Sequence, residues 1–152
     1  MKKRYFLLFA LAFLADRLTK WWAVTTLADG PRAVCYGFNL DLSWNRGVTW
    51  SFLTATNAIG YWLLCSAIAL MIAGFTWYIV RRLAQQLSIG WEVLVLAGAV
   101  SNLIDRLWYG AVADFISWYV GSFVWPTFNV ADACIVIGMS GLFLKLSWET
   151  HD

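Results

Sequence analysis

Residues 58–80 read AIGYWLLCSAIALMIAGFTWYIV, 23 residues without a charge, closed by Arg81-Arg82. At about 1.5 Å of rise per residue, such a helix spans the roughly 30 Å hydrocarbon core of a bilayer. The rest of the 152-residue chain agrees with that reading. It is 61% hydrophobic and only 13% charged, where a soluble domain carries about 25% charged residues. Too little polar side chain remains to cover a small soluble globule. The chain also holds 11 Trp, a residue that collects at membrane–water boundaries because its ring is apolar and its N–H is wet.

Working outward from this run, three more spans are predicted. The first covers about 5–27. It opens after Lys2-Lys3-Arg4, meets Asp16, Arg17 and Lys20, and resumes as WWAVTTLA. Its basic start and Ala10-Leu11-Ala12 mimic a cleavable signal, but the apolar pattern continues past that point. The others cover about 89–107, with Glu92 near the start and Asp105-Arg106 near the end, and 130–148, with Asp132 in the first turn and Lys145 in the last. The four predicted spans make one integral-membrane domain over residues 1–152. Four spans put Lys2, Lys3, Arg4, Arg81, Arg82 and Lys145 on one side, which the positive-inside rule makes the cytoplasm. Both termini are then cytoplasmic.

Two segments, about 28–57 and 108–129, face outward in this arrangement. In the first, Val34, Tyr36, Phe38, Leu40 and Leu42 alternate with other residues between the turn signals Gly30-Pro31 and Asn45-Arg46-Gly47, the period of a strand. A small extracytoplasmic sheet lying on the membrane is expected there. The second is aromatic and uncharged from Phe115 to Ala131, interrupted by Gly121 and Pro126. A fifth span would break the charge rule, so it is expected to lie in the interface. The fold class is thus all-α, with four transmembrane helices, a small outer sheet and an interfacial segment.

Composition also excludes functions. A net charge of +2 does not suggest nucleic-acid binding. The single histidine, His151, stands beside the C-terminus, which removes a Ser/His/Asp triad and a His-based zinc site. Cys35, Cys65 and Cys134 are odd in number and far apart, so neither a disulfide framework nor a metal clip is expected. There is no HExxH, GxSxG or Gly-rich phosphate loop. No metal and no cofactor is expected.

The charged residues left in or near the membrane are not scattered. An ionisable group near the bilayer centre costs at least about 2.5–3.5 kcal/mol, so each needs a partner or a purpose. Asp16, Lys20, Asp105, Arg106, Asp114 and Asp132 all fall toward the outer side. Asp16 and Lys20, four apart, can pair on one helix face. Asn102, Asp105 and Arg106 share another face. Arg106 can neutralise Asp105, orient another carboxylate, or snorkel to headgroups. Asn129 can cap the fourth helix, with Asp132 an acid in its first turn. Asp114 has no basic residue within seven positions, and reads either as a water-facing turn residue or as a carboxyl whose pKa is raised beside the bilayer. Two carboxylates brought together in a partly dry place share one proton. The ionised one takes a proton from water and the protonated one donates to a carbonyl, the chemistry of aspartic proteolysis. A Ser/Lys pair built from Ser51, Ser101 or Ser117 with Lys20 is an alternative hydrolase. A small transporter or proton-relay subunit using membrane carboxylates is an alternative of another class.

The chain resembles the lipoprotein signal peptidase (type II signal peptidase) family over nearly its whole length. Five ordered motifs carry the resemblance: D-x-x-T-K at Asp16, Thr19 and Lys20; N-x-G at Asn45 and Gly47; N-x-x-D-R at Asn102, Asp105 and Arg106; Asp114 of V-A-D-F; and F-N-x-A-D at Phe128, Asn129, Ala131 and Asp132. The resemblance implies that Asp114 and Asp132 are a catalytic dyad. It implies that Asn45, Gly47, Asn102, Arg106 and Asn129 bind or support substrate, with Asp16, Lys20 and Asp105 as structural polar residues. It implies a bacterial inner-membrane enzyme, monomeric and surrounded by membrane lipids. Its substrates would be prolipoproteins carrying a diacylglyceryl group, cut before the lipidated cysteine near the outer leaflet, under a cradle formed by the outer sheet. The chain departs from the family at Thr49 and Trp50, where a small residue and Phe are usual, and at Ser101, where Gly is usual.

Overall fold

The computed structural model describes residues 2–47 and 57–149. Thr49 and Trp50 lie outside the described residues, as do Ser51 and His151. Four helices form where four spans are expected: α1 (Lys2–Thr26), α2 (Ala58–Ala84), α3 (Gly90–Tyr109) and α4 (Val130–Glu149). Two of them, Ala58–Ala84 and Val130–Trp148, are long and apolar enough to cross a membrane by length and composition. The other two carry more charge, Asp16, Arg17 and Lys20 in α1 and Glu92, Asp105 and Arg106 in α3.

Asn57 starts α2, its side-chain oxygen accepting from the Gly60 N–H at 2.8 Å, so one orphan donor of the first turn is satisfied. The helix runs on past the apolar stretch through Arg81-Arg82, and Arg82 Nε lies 3.0 Å from Glu92 Oε1. At that end Tyr5 packs with Ile79, Ile89 and Val93, and its hydroxyl accepts from Ile89 N. The basic start of α1, the basic end of α2 and the start of α3 therefore gather together. Arg17, Lys20, Asp105 and Asp132 gather at the other.

Helix α3 is central: it packs on α1, α2 and α4. Its contact with α4 is close because of glycine. A Cβ on Gly98 would run into the carbonyl oxygen of Ala131 and lie 2.8 Å from Ile135 Cγ1. Helix α3 ends on Gly110, at φ +72°, whose N–H bonds to Arg106 O at 3.0 Å. A left-handed C-terminal residue of this kind favours glycine.

The strands form one antiparallel sheet in the order β1 (Arg32–Cys35), β2 (Phe38–Asn45), β3 (Val112–Val120) and β4 (Phe123–Val124). The alternation read over 34–42 is broken by a two-residue turn at Tyr36-Gly37, with Cys35 opposite Phe38 and Gly37 at φ +84°. The larger correction concerns the second outer segment. Residues 112–120 are a strand paired with β2, and they return as a hairpin through Gly121 (φ +59°). Its first four residues are all buried, which hides the period-2 signal. Strand β3 therefore places Asp114 by sheet register: Ser43 is opposite it, and Asn45, opposite Val112, lies diagonal to it on the same face.

Gly98→Ala should push the start of α4 off α3 and destabilise the protein by about 1–3 kcal/mol, the range for overpacking. Thermal unfolding in detergent reads this directly.

Candidate active site

The first layer of the site is a buried ion cluster. Lys20 is 1% exposed. Its ammonium donates at 2.7 Å to Asn102 Oδ1 and pairs at 2.8 Å with both Asp16 Oδ2 and Asp105 Oδ2. All three of its protons are used. The expected Asp16–Lys20 pair is present, but Lys20 has no free valence to act as a base for a serine. Ser101, the departure from the family's glycine, is fully buried and donates to Asp16 Oδ2 at 2.6 Å. Asp16 Oδ1 accepts from Ala131 N at 2.7 Å, so α1 is tied to the first turn of α4.

Arg106 does not neutralise Asp105. It donates to Gly47 O at 2.7 Å and Asn102 O at 3.2 Å, binding the end of β2's loop to α3. The cation on Asp105, besides Lys20, is Arg17, which is not among the site residues expected from the sequence. An Arg three positions before Lys20 is one turn away on α1, which is the only signal it carried.

The second layer is made of asparagine amides whose orientations are fixed. Lys20 can only donate, so Asn102 Oδ1 faces it and Asn102 Nδ2 points at Asp132 Oδ1, 2.8 Å away. Asn129 Oδ1 accepts from Asp132 N at 2.9 Å, and Asp132 Oδ2 accepts from Asn129 N at 3.3 Å. This is a reciprocal cap at the start of α4. It leaves Asn129 Nδ2 to donate to Asp114 Oδ1 at 2.6 Å and Asn102 Oδ1 at 3.2 Å. Asn45 Oδ1 accepts from Gly47 N at 3.0 Å, and Asn45 Nδ2 donates to Asp114 Oδ2 at 3.0 Å. The capping reading of Asn129 and Asp132 is correct, and it coexists with their place beside Asp114.

Asp114 and Asp132 line one cavity of about 140 Å³ with Asn45, Asn102 and Arg106, walled by Ile68, Ala99, Val112 and Ile135. That is room for a water, which takes about 30 Å³ in the liquid, and polar partners surround it. Asp114 is a buried strand residue (2% exposed), not a water-facing turn. Burial and the neighbouring Asp132 carboxylate push its carboxyl from an ordinary 3.8 up to about 7, against the pull of Asn45, Asn129 and Lys20. Asp132 also borders a larger apolar cavity of about 510 Å³ under the β3–β4 hairpin, beside Trp118, Trp125, Phe128 and Val136. Among the described residues no group of His, Cys, Asp and Glu forms a metal site.

Apolar helices, a small sheet and two acids on one shared cavity describe a membrane enzyme. Residues 8–148 match the signal peptidase (SPase) II family, and the chain belongs to it; it is a peptidase. Lipoprotein signal peptidase of Xylella fastidiosa (strain M12) is 39% identical over 146 residues, covering 91% of this chain and 85% of that one. Lipoprotein signal peptidase of Dichelobacter nodosus is 34% identical over 154 residues, covering 99% and 96%. Two bacterial membrane enzymes solved in meso share the fold, with TM-scores of 0.80 and 0.77 at 22% and 23% identity. They cover 97% and 95% of this chain, and 90% and 92% of their own lengths.

An acid whose folded-state pKa lies above its unfolded value binds its proton more tightly when folded. Its contribution to stability is present below about pH 4 and is lost as pH rises through about 7. The melting temperature of the wild type should therefore fall between pH 5 and 8 by at least a few degrees more than that of Asp114→Asn, measured in detergent at fixed ionic strength.

Proposed function

We propose that this chain is an intramembrane aspartic endopeptidase that removes the signal peptide from diacylglyceryl-modified prolipoproteins by cleaving before the lipidated cysteine. Family membership supports the substrate class: the related proteins are lipoprotein signal peptidases. It gives no support to a transporter or proton relay. The catalytic type rests on one observation, that Asp114 and Asp132 face the same small cavity, where the Asp132 carboxylate acts on Asp114.

In this reading the pair holds one proton. A water between the carboxyls gives a proton to the ionised acid and attacks the scissile carbonyl carbon, while the protonated acid donates to the carbonyl oxygen. The same pair then passes a proton to the departing amine. The amides of Asn45, Asn102 and Asn129 hold the carboxyl planes, and Arg106 fixes Gly47 at the rim. Asp16, Lys20 and Asp105 act behind them. No metal or cofactor is needed for these steps.

We place the enzyme as a single multi-pass domain in the bacterial inner membrane, with four spans and both termini cytoplasmic. The clustering of basic residues at one end of the bundle supports this under the positive-inside rule. The dyad then lies near the outer leaflet, with the sheet over it as a cradle against membrane lipids.

Asp114→Asn and Asp132→Asn keep size and polarity but cannot carry the proton. Each should lower turnover of a lipidated prolipoprotein in reconstituted membranes by at least about 10²-fold. Wild-type turnover in either variant rejects the dyad. The wild-type kcat/KM should be bell-shaped in pH, both limbs belonging to the pair.

A further inference from the structure

Behind the dyad, three buried charges and a half-buried one pack together. Asp16 (1% exposed) and Asp105 (0%) are the anions, and Lys20 (1%) is the cation they share. One ammonium between two carboxylates leaves a net negative charge. Arg17, half-buried on the next position of α1, closes the sum by pairing with Asp105 Oδ1, and its Nη1 also reaches Ser101 O and Ser101 Oγ at 3.4 Å. The quartet is electrically neutral only with Arg17 in place.

The quartet is joined to the dyad by short contacts. Lys20 holds Asn102, and Asn102 donates to Asp132; Asp16 holds Ala131 N, the residue before Asp132. The Lys20 charge also acts on Asp114. In a site of low effective dielectric a unit of charge at this depth is poorly screened.

We propose that Arg17 is a positioning residue for the reaction, whose charge cancels the surplus carboxylate behind the dyad and so sets the pH range over which Asp114 and Asp132 share their proton. The inference rests on the paired-acid reading above. Among the described residues the other ionisable group lining the cavity with the pair is Arg106 of α3; Tyr61 of α2, beside Cys65, donates to Arg106 O, and Cys134 of α4 lies near Asp16. Among the described residues the sheet adds only the neutral amide of Asn45 beside Asp114 itself, and Asp41 of β2 is exposed. None of them offsets Asp105.

The test is the pH dependence of kcat/KM for a lipidated prolipoprotein in nanodiscs. Arg17→Gln leaves an uncompensated anion, which disfavours ionised carboxyls nearby. Its bell should move to higher pH by about half a unit to one unit. Arg17→Lys keeps the charge without the fork, and its bell should stay at the wild-type position. A merely structural Arg17 would lower the rate or the melting temperature without moving the bell. An unmoved bell in Arg17→Gln, or equal shifts in both variants, overturns the proposal. If Arg17→Gln does not accumulate, Arg17→His makes the same comparison. Its imidazole is charged below about pH 6.5, so its rates should follow the wild type there and depart above; parallel curves throughout overturn the proposal. A wild-type profile without a bell would instead reject the paired-acid reading itself.

Discussion

One ammonium group organises this protein. Lys20 is buried where α1, α3 and α4 meet, and its three protons go to Asp16, Asp105 and Asn102. A buried cation is tolerable only when its partners satisfy it fully, and removing a partner from such a cluster typically costs about 3–5 kcal/mol. The helices that supply those partners are therefore held in one relative position. Through Asp16 that position extends to the first turn of α4, and through Asn102 to the carboxyl of Asp132.

The amides between this cation and the acids turn position into orientation. An asparagine side chain has an accepting end and a donating end. Where a group that can only donate occupies one end, the other must donate outward. Lys20 does this for Asn102, the Asp132 N–H for Asn129 and the Gly47 N–H for Asn45. Three amides therefore present N–H groups to two carboxylates, and the carboxyl planes are fixed without any positive charge touching them directly. Networks of this kind, once fully satisfied, are rigid.

Much of this was legible in the sequence. The apolar runs located the helices, unbroken in α2 and interrupted by charges in α1 and α3. Every residue of the acid and amide set stood in a motif. What stayed hidden was hidden for physical reasons. Strand β3 is buried on both faces over Val112–Phe115, so it has no alternation to read. The Arg17–Asp105 pair joins residues 88 apart, and only the packing of α1 on α3 brings them together. Arg106, four positions from Asn102, could neutralise Asp105, orient another carboxylate or snorkel to headgroups on its pattern, and its side chain turns to the carbonyls of Gly47 and Asn102 instead. Periodicity announces elements; it does not announce which of two nearby cations an anion chooses.

The hairpin bearing Asp114 works as a ruler. Successive residues of a strand look in opposite directions, so inserting or deleting one residue between Val112 and Asp114 would turn the carboxyl away from Asn45 and Asn129 and present a neighbour's alkyl group in its place. Length changes are absorbed only beyond the pairing that sets the count, at the tip around Gly121 or between the first two strands. Drift among descendants of this chain is thus channelled: the rim of the sheet is free to grow or shrink, while the few residues between the end of α3 and Asp114 must keep their number.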